Sequence, residues 1–177
     1  AFNDVAHKNG VKTGCTYFVD WGATVNHIDE PGKTLYELST PLSKANEHGD
    51  KYKYSRKLIK FLKYYGIDGI CFNPEGYWGN KVYPDFISFL AECHKIAEEL
   101  NHQFHVDWYA FVDNTGWLDD NGCKLDEVND NWFHNTTMDQ PVTDVFFLNY
   151  NWTEGGLKTS AETAKSYGRS TFDVYAG

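Results

Sequence analysis

Tyr64-Tyr-Gly-Ile-Asp-Gly-Ile-Cys-Phe-Asn-Pro-Glu-Gly-Tyr-Trp78 is a short apolar strand that runs straight into an Asn-x-Glu pair and then two aromatic residues. Side chains alternate along a strand, so Cys71, Asn73 and Glu75 point one way while Ile70 and Phe72 point the other. One face thus carries an amide and a carboxylate, two residues and roughly 7 Å apart. Polar groups at the carboxyl end of a buried strand are costly unless something binds there, and in parallel α/β proteins that is the end where ligands sit.

The flanking sequence alternates helix and strand. Phe2 to Lys8 reads as a helix closed by Asn9-Gly10, and Val11 to Val19 as a strand of β-branched and aromatic residues. A long polar βα segment follows, Asp20 to Lys53, with Pro31-Gly32 and Pro41. Ser55 to Tyr65 has Leu58, Ile59, Leu62 and Tyr65 on one helical face and stops at Gly66, and strand Ile67 to Asn73 begins at once. Downstream come a helix from Tyr83 to Leu100, a strand from Gln103 to Ala110, an Asp/Asn/Gly-rich loop from Asp113 to Lys124 and a short helix from Leu125 to Phe133. Strand Thr143 to Asn151, helix Leu157 to Tyr167 and strand Thr171 to Tyr175 complete the order.

Successive βαβ units demand a parallel sheet. An open doubly wound sheet lacks its usual Gly-x-Gly-x-x-Gly after the first strand, whereas long polar and aromatic loops after the strands favour a (β/α)8 TIM barrel. The expected fold is therefore α/β, with about five consecutive βα units of such a barrel, a barrel having eight strands. Residues 1–177 read as a single partial catalytic domain: the chain opens inside a helix and stops as a strand finishes, as expected for a piece of a longer protein.

Composition narrows the ligand. Twelve Tyr and six Trp supply flat apolar faces with polar edges, which suit sugars. A formal charge of -9 and no basic patch disfavour nucleic acid. No apolar run approaches the ~20 residues of a membrane span. Cys15, Cys71, Cys93 and Cys123 are far apart and show no metal-ligand spacing, so they read as free buried thiols, with neither metal nor cofactor expected.

In a barrel the strand ends converge on one mouth. They carry Asp20 and Trp21, then Asn73, Glu75, Tyr77 and Trp78, then Asp107, Trp108 and Tyr109, then Asn149, Asn151 and Trp152, and finally Asp173 and Tyr175. Carboxylates, amides and aromatics together describe a carbohydrate cleft. A glycosidase normally uses two carboxyl groups, but the same-face neighbour of Glu75 is an amide. An amide cannot be a nucleophile; it can hold a substrate 2-acetamido group whose own carbonyl oxygen attacks the anomeric carbon, which is substrate assistance. Trp108, opposite in direction to Tyr109, is expected under a helix, and Asp68 is expected either to bond backbone amides at the strand entry or to support catalysis. His105 and His134 read as ordinary histidines. Asp68 to Glu75 also follows the Asp-Gly-x-Asp-x-Asp-x-Glu signature of chitinase-type enzymes, with Cys71 and Asn73 replacing two aspartates.

Ala6-His-Lys-Asn-Gly-Val11, Tyr64-Tyr-Gly-Ile-Asp-Gly69, Asn73-Pro-Glu75, Asp107-Trp-Tyr109, Phe147-Leu-Asn-Tyr-Asn-Trp-Thr153, Ala164-Lys-Ser-Tyr-Gly-Arg-Ser170 and Asp173-Val-Tyr-Ala-Gly177 form an ordered set. Together they make the chain resemble the family 85 glycoside hydrolases, endo-β-N-acetylglucosaminidases that cut the chitobiose core of N-linked glycans. The resemblance implies a retaining, substrate-assisted mechanism through an oxazolinium intermediate, acting on an N-linked glycan or glycoprotein. It implies Glu75 as acid/base, Asn73 as the group that orients the acetamide, and Tyr109 as a hydrogen-bonding residue near the reacting centre. Trp117 and Trp152 would stack on sugars, with Asn149, Asn151, Tyr77, Trp78, Trp21 and Asp173 as further substrate contacts. The family's Trp-Tyr-Asp run appears here as Trp108-Tyr109-Ala110, and part of the family barrel lies outside the chain. The alternative is a non-catalytic glycan-binding or inactive fragment of such a barrel. The expected compartment follows the source: secreted or cell-surface in a bacterium, cytosolic in a eukaryote.

Overall fold

The computed structural model describes residues 2–19, 38–75, 83–117, 122–137 and 139–177. Helix α1 (Phe2–Lys8) leads to β1 (Gly14–Val19), and α2 (Ser55–Tyr65) to β2 (Gly69–Pro74). Then come α3 (Tyr83–Glu99), β3 (His105–Tyr109), a small hairpin of β4 (His134–Asn135) and β5 (Gln140–Pro141), β6 (Val145–Leu148), α4 (Glu154–Ser166) and β7 (Val174–Ala176). Five strands form one sheet in the order β1-β2-β3-β6-β7, with every neighbouring pair parallel.

Strand alternation puts Ile70 and Phe72, Val106 and Trp108, and Phe146 and Leu148 on one face. They share a single core with Ile59 and Leu62 of α2, Phe86, Phe89 and Leu90 of α3, and Ala164 of α4. Helices α2, α3 and α4 therefore cover the same face, whereas a doubly wound sheet carries helices on both. That one-sidedness is the wall of a barrel, and among the described residues the wall is open, with β1 and β7 at its edges. Trp108, fully buried, stacks on Trp132 with ring centroids 4.1 Å apart and planes within 8°. Each such side chain contributes roughly 2–3 kcal/mol by leaving water.

Helix α2 ends where expected, on Gly66 in the left-handed region at φ 63. Its start is held by Glu92 of α3, whose carboxylate accepts from the Lys51 N–H (2.6 Å), the Tyr52 N–H (3.1 Å) and the Ser55 hydroxyl (2.6 Å). The long βα segment is thus tied back onto the helical layer before α2 begins.

Three expectations need correction. The helix foreseen over Leu125 to Phe133 is only a 3-10 turn, Asp130–Trp132, because local side chains take the backbone groups a helix would use. The Val128 N–H donates to Asp126 Oδ1 (3.1 Å), the Asp126 N–H to Asn129 Oδ1 (3.1 Å), and Asn129 Nδ2 to the Lys124 carbonyl (3.0 Å). The strand foreseen over Thr143 to Asn151 shortens to Val145–Leu148. The last strand starts later, at Val174, after a second 3-10 turn (Thr171–Asp173) capped by the Ser170 hydroxyl.

That second turn places Asp173 at the amino end of β7, away from the carboxyl-end mouth where the sequence reading put it as a substrate contact. There Asp173 accepts from Arg169 Nε at 2.9 Å. Arg169 also donates to the carbonyls of Phe133 (3.0 Å), Thr143 (2.8 Å) and Asp144 (2.7 Å), with its guanidinium 4.0 Å from the centre of the Phe133 ring. A lysine cannot reproduce this planar fork. Arg169→Lys is expected to lower unfolding free energy by ~2–4 kcal/mol, from orphaned carbonyls at ~1–3 kcal/mol each, measured by urea titration. An unchanged midpoint would show that these contacts are dispensable.

Candidate active site

The sheet's uncovered face carries one in-register row at its carboxyl end. Phe18 of β1 pairs with Asn73 of β2, Tyr109 of β3 with Phe147 of β6, and Phe147 with Tyr175 of β7. The β2–β3 register runs to Phe72↔Trp108, and one further step sets Asn73 beside Tyr109. Pro74 then removes a ladder donor, and Glu75 turns back with its N–H on the Asn73 carbonyl at 3.2 Å. Asn73 and Glu75 are both half-buried. The buried Oδ1 of Asn73 accepts no hydrogen bond among the described residues.

Tyr109 closes the other side of this pair. It is only 5% exposed, stacks on Phe111 (5.7 Å, 7°), and touches Phe147 (5.8 Å) and Tyr150 (6.3 Å). Burial pushes its hydroxyl up to about 12, helped by the negative charge of Glu75 and then by Tyr150. The Glu75 charge is near enough to act on the Tyr109 hydroxyl, which stays protonated and able to donate wherever a carboxylate is ionised. Tyr167 is also pushed up to about 12, by burial and then by its hydrogen bond to Asp130. Groups whose folded pKa is raised stabilise the fold fully below the unfolded value near 10, and that stability is lost as pH climbs toward 12. The melting temperature is expected to fall between pH 10 and 12, with Tyr109 and Tyr167, and also Tyr52, whose hydroxyl burial likewise pushes up, titrating late in absorbance at 295 nm; titration of every tyrosine near pH 10 would contradict this.

Asn149, 8% exposed, follows β6, and its N–H donates to the Gly122 carbonyl at 2.8 Å. Gly122 crosses the end of β3 so closely that a Cβ there would lie 1.4 Å from the Ala110 oxygen, so no larger residue fits without moving the backbone. Asn151 and Trp152 are exposed beyond β6, and the Trp152 indole N–H donates to the Gly177 carbonyl at the end of β7 at 2.7 Å. Trp117, 42% exposed, is held in a turn in which Asp113 Oδ1 accepts from the N–H groups of Thr115 (2.7 Å) and Trp117 (3.1 Å). The structure brings Asn73, Glu75 and Tyr109 together. It sets Asn149, Asn151 and Trp152 on the loop leaving β6, while Tyr77, Trp78 and Trp21 lie outside the described residues.

The profile of glycosyl hydrolase family 85 matches residues 1–177. The chain belongs to glycosyl hydrolase family 85. It is 28% identical over 179 aligned residues to the cytosolic endo-beta-N-acetylglucosaminidase 1 of Arabidopsis thaliana, covering 99% of this chain and 22% of that protein. The glycoside hydrolase domain of Endo-D from Streptococcus pneumoniae R6 superposes with a TM-score of 0.78 at 26% identity, covering 99% of this chain and 26% of that one. A chitinase from Chromobacterium violaceum shares the fold with a TM-score of 0.52 at 14% identity, over 100% of this chain and 53% of that one. The chain thus spans about a quarter of the length of the family 85 relatives.

Other polar groups of this family 85 chain belong to its frame. Asp68, at the amino end of β2, accepts from the Thr13 N–H (2.6 Å) and lies 2.8 Å from His7 Nε2. Burial opposes its charge, but the Thr13 amide and His7 outweigh that and hold its carboxyl below the usual range. Asp68 thereby staples α1 and β1 to β2. A cavity of about 260 Å³ on the uncovered face is lined by Lys12, Thr13, Asp68, Gly69, His105 and Asp107 among others, toward the amino ends and away from Glu75. His105 there lies 2.9 Å from Asp107, which raises its pKa. His134 pairs with Asp139 at 3.0 Å and stacks on Tyr167. All four cysteines are free thiols, and among the described residues no group of three or more His, Cys, Asp or Glu is placed to hold a metal. No helix among these residues is long and apolar enough to cross a membrane.

Phe18, Phe147 and Tyr150 were not legible as site residues. Alternation tells which residues of a strand share a face, but only pairing across strands reveals which residues flank Asn73.

Proposed function

We propose that this chain is part of the catalytic barrel of an endo-β-N-acetylglucosaminidase that hydrolyses the β-1,4 bond of the GlcNAc-GlcNAc core of N-linked glycans. The observation that carries this reading is the juxtaposition at the neighbouring carboxyl ends of β2 and β3 of Asn73, Glu75 and Tyr109: an amide with an unsatisfied acceptor, a carboxylate, and a hydroxyl held neutral. The names of the Arabidopsis and Streptococcus relatives agree with it.

In this mechanism Asn73 Oδ1 accepts the acetamide N–H of the sugar being cleaved. That hydrogen bond fixes the group and moves electron density toward its carbonyl oxygen. The oxygen attacks C1 as the C1–O bond to the second GlcNAc breaks, and Glu75 gives its proton to the departing oxygen. The resulting oxazolinium is opened at C1 by water, which delivers a proton back to Glu75. Two inversions at C1 give net retention. Tyr109 donates a hydrogen bond near the reacting centre, while Trp117 and Trp152, with Asn149 and Asn151, line the approach for the glycan. No metal or cofactor enters these steps.

The test is to incubate a denatured high-mannose glycoprotein with the intact protein and weigh the products by mass spectrometry. A single GlcNAc left on asparagine supports the reading. Glycan binding without any release would instead make this a binding module on a disabled barrel.

A further inference from the structure

We propose that Gly177, just past the end of β7, is a positioning residue for the reaction: its missing side chain and its carbonyl together lock Tyr150 against Tyr109 and hold Trp152 at the mouth. What the locked residues do rests on the endoglycosidase reading above; the lock itself does not. The last register pair of the sheet joins Leu148 of β6 to Ala176 of β7, and Gly177 follows. The chain leaving β6 turns at Tyr150 and Asn151, which sets the Tyr150 ring on the backbone of Gly177. A Cβ added to Gly177 would lie 2.8 Å from Tyr150 Cδ1 and 2.9 Å from its Cε1, closer than carbon atoms pack. Only a glycine lets the ring come down that far.

Tyr150 also meets two other rings. Its centroid is 6.3 Å from that of Tyr109 and 6.1 Å from that of Phe147, edge to face, while Phe147 and Tyr109 are 5.8 Å apart. The three rings close a triangle, and Gly177 stands against its open corner: Tyr150 is 70% exposed, Tyr109 only 5%. An exposed aromatic side chain ordinarily moves among rotamers within nanoseconds. One wedged between backbone and two rings keeps its place, and so keeps Tyr109 covered. The same glycine holds Trp152, whose indole N–H donates to its carbonyl at 2.7 Å. The loop from Asn149 to Thr153 is fixed at both ends, by the Asn149 N–H on the Gly122 carbonyl (2.8 Å) and by the Thr153 hydroxyl, which accepts from the Gly156 N–H (3.1 Å). Gly177 ties down its middle.

The experiment is a double-mutant cycle in the intact protein: wild type, Gly177→Ala, Tyr150→Ala and the two together, read both by kcat/KM for glycan release from a denatured high-mannose glycoprotein and by tyrosine titration at 295 nm. Gly177→Ala is expected to lower kcat/KM by about tenfold or more, since a misplacement of ~1 Å costs up to ~10²-fold, and Tyr109 should cease to titrate late. In the Tyr150→Ala background the same change should alter kcat/KM by less than about twofold, because no ring remains to strike and neighbouring sites that act together are not additive. Equal losses in both backgrounds would overturn the lock and assign the effect to the Leu148 carbonyl, 3.1 Å from the added Cβ. No loss in either background would overturn it as well. If wild type releases no glycan, the endoglycosidase reading falls and the titration decides the lock alone: it stands if Gly177→Ala removes one late tyrosine, and falls if the late tyrosines are unchanged.

Discussion

Glu75→Gln is expected to cut glycan release from glycoprotein by about 10³-fold or more while leaving the fold unchanged. General acid and base catalysis each contribute ~10²–10⁴-fold, and in a substrate-assisted reaction one residue serves both steps. The amide is nearly the same shape, and Glu75 contributes nothing to the apolar core, so stability should stay within ~0.5 kcal/mol of wild type. The loss must depend on the leaving group. An aryl glycoside that departs without protonation should recover much of the first step, whereas the sugar leaving group should not. Equal losses on both substrates would remove Glu75 from the role of proton donor, and a loss accompanied by a lower melting temperature would point to structure instead.

Asn73→Ala is the second large effect, expected to lower kcat on glycoprotein by ~10²–10³-fold with a smaller change in KM. Orientation of a reacting group is worth several kcal/mol, and a hydrogen bond that steers the acetamide oxygen acts mostly in the transition state. A preformed oxazoline donor already contains the bond that Asn73 helps to make. Its hydrolysis by Asn73→Ala should therefore lie within about tenfold of wild type, since only steps that use an interaction lose rate when it is removed. If oxazoline opening fell as far as glycoprotein cleavage, Asn73 would not be acting on the acetamide in the first step.

The helices and the first three strands were legible because their signals are local. Ser55–Tyr65 and its stop at Gly66 follow from apolar spacing and a left-handed glycine, and Trp108 was placed under a helix by alternation alone. Around Leu125 to Phe133 the apolar spacing suggested a helix, but Asp126 and Asn129 spend their side chains on the backbone, which a periodicity reading does not register. Asp173 was misplaced for a related reason: an apparent strand starting at Thr171 puts it in mid-strand, whereas the Ser170 cap bends those residues into a turn and Arg169 ties Asp173 to the amino end.

By itself the sequence determined the βα rhythm and the pairing of an amide with a carboxylate at the end of β2, since both depend on the two-residue period of one strand. Only the tertiary structure decided which side chains adjoin that pair. Phe18 lies 55 positions before Asn73 and Tyr109 lies 36 after it, and what brings all three into one row is the hydrogen-bond register between strands. Register is set by burying Ile70, Phe72, Val106 and Trp108 together beneath the helices, a condition on the whole sheet that no single stretch of sequence carries.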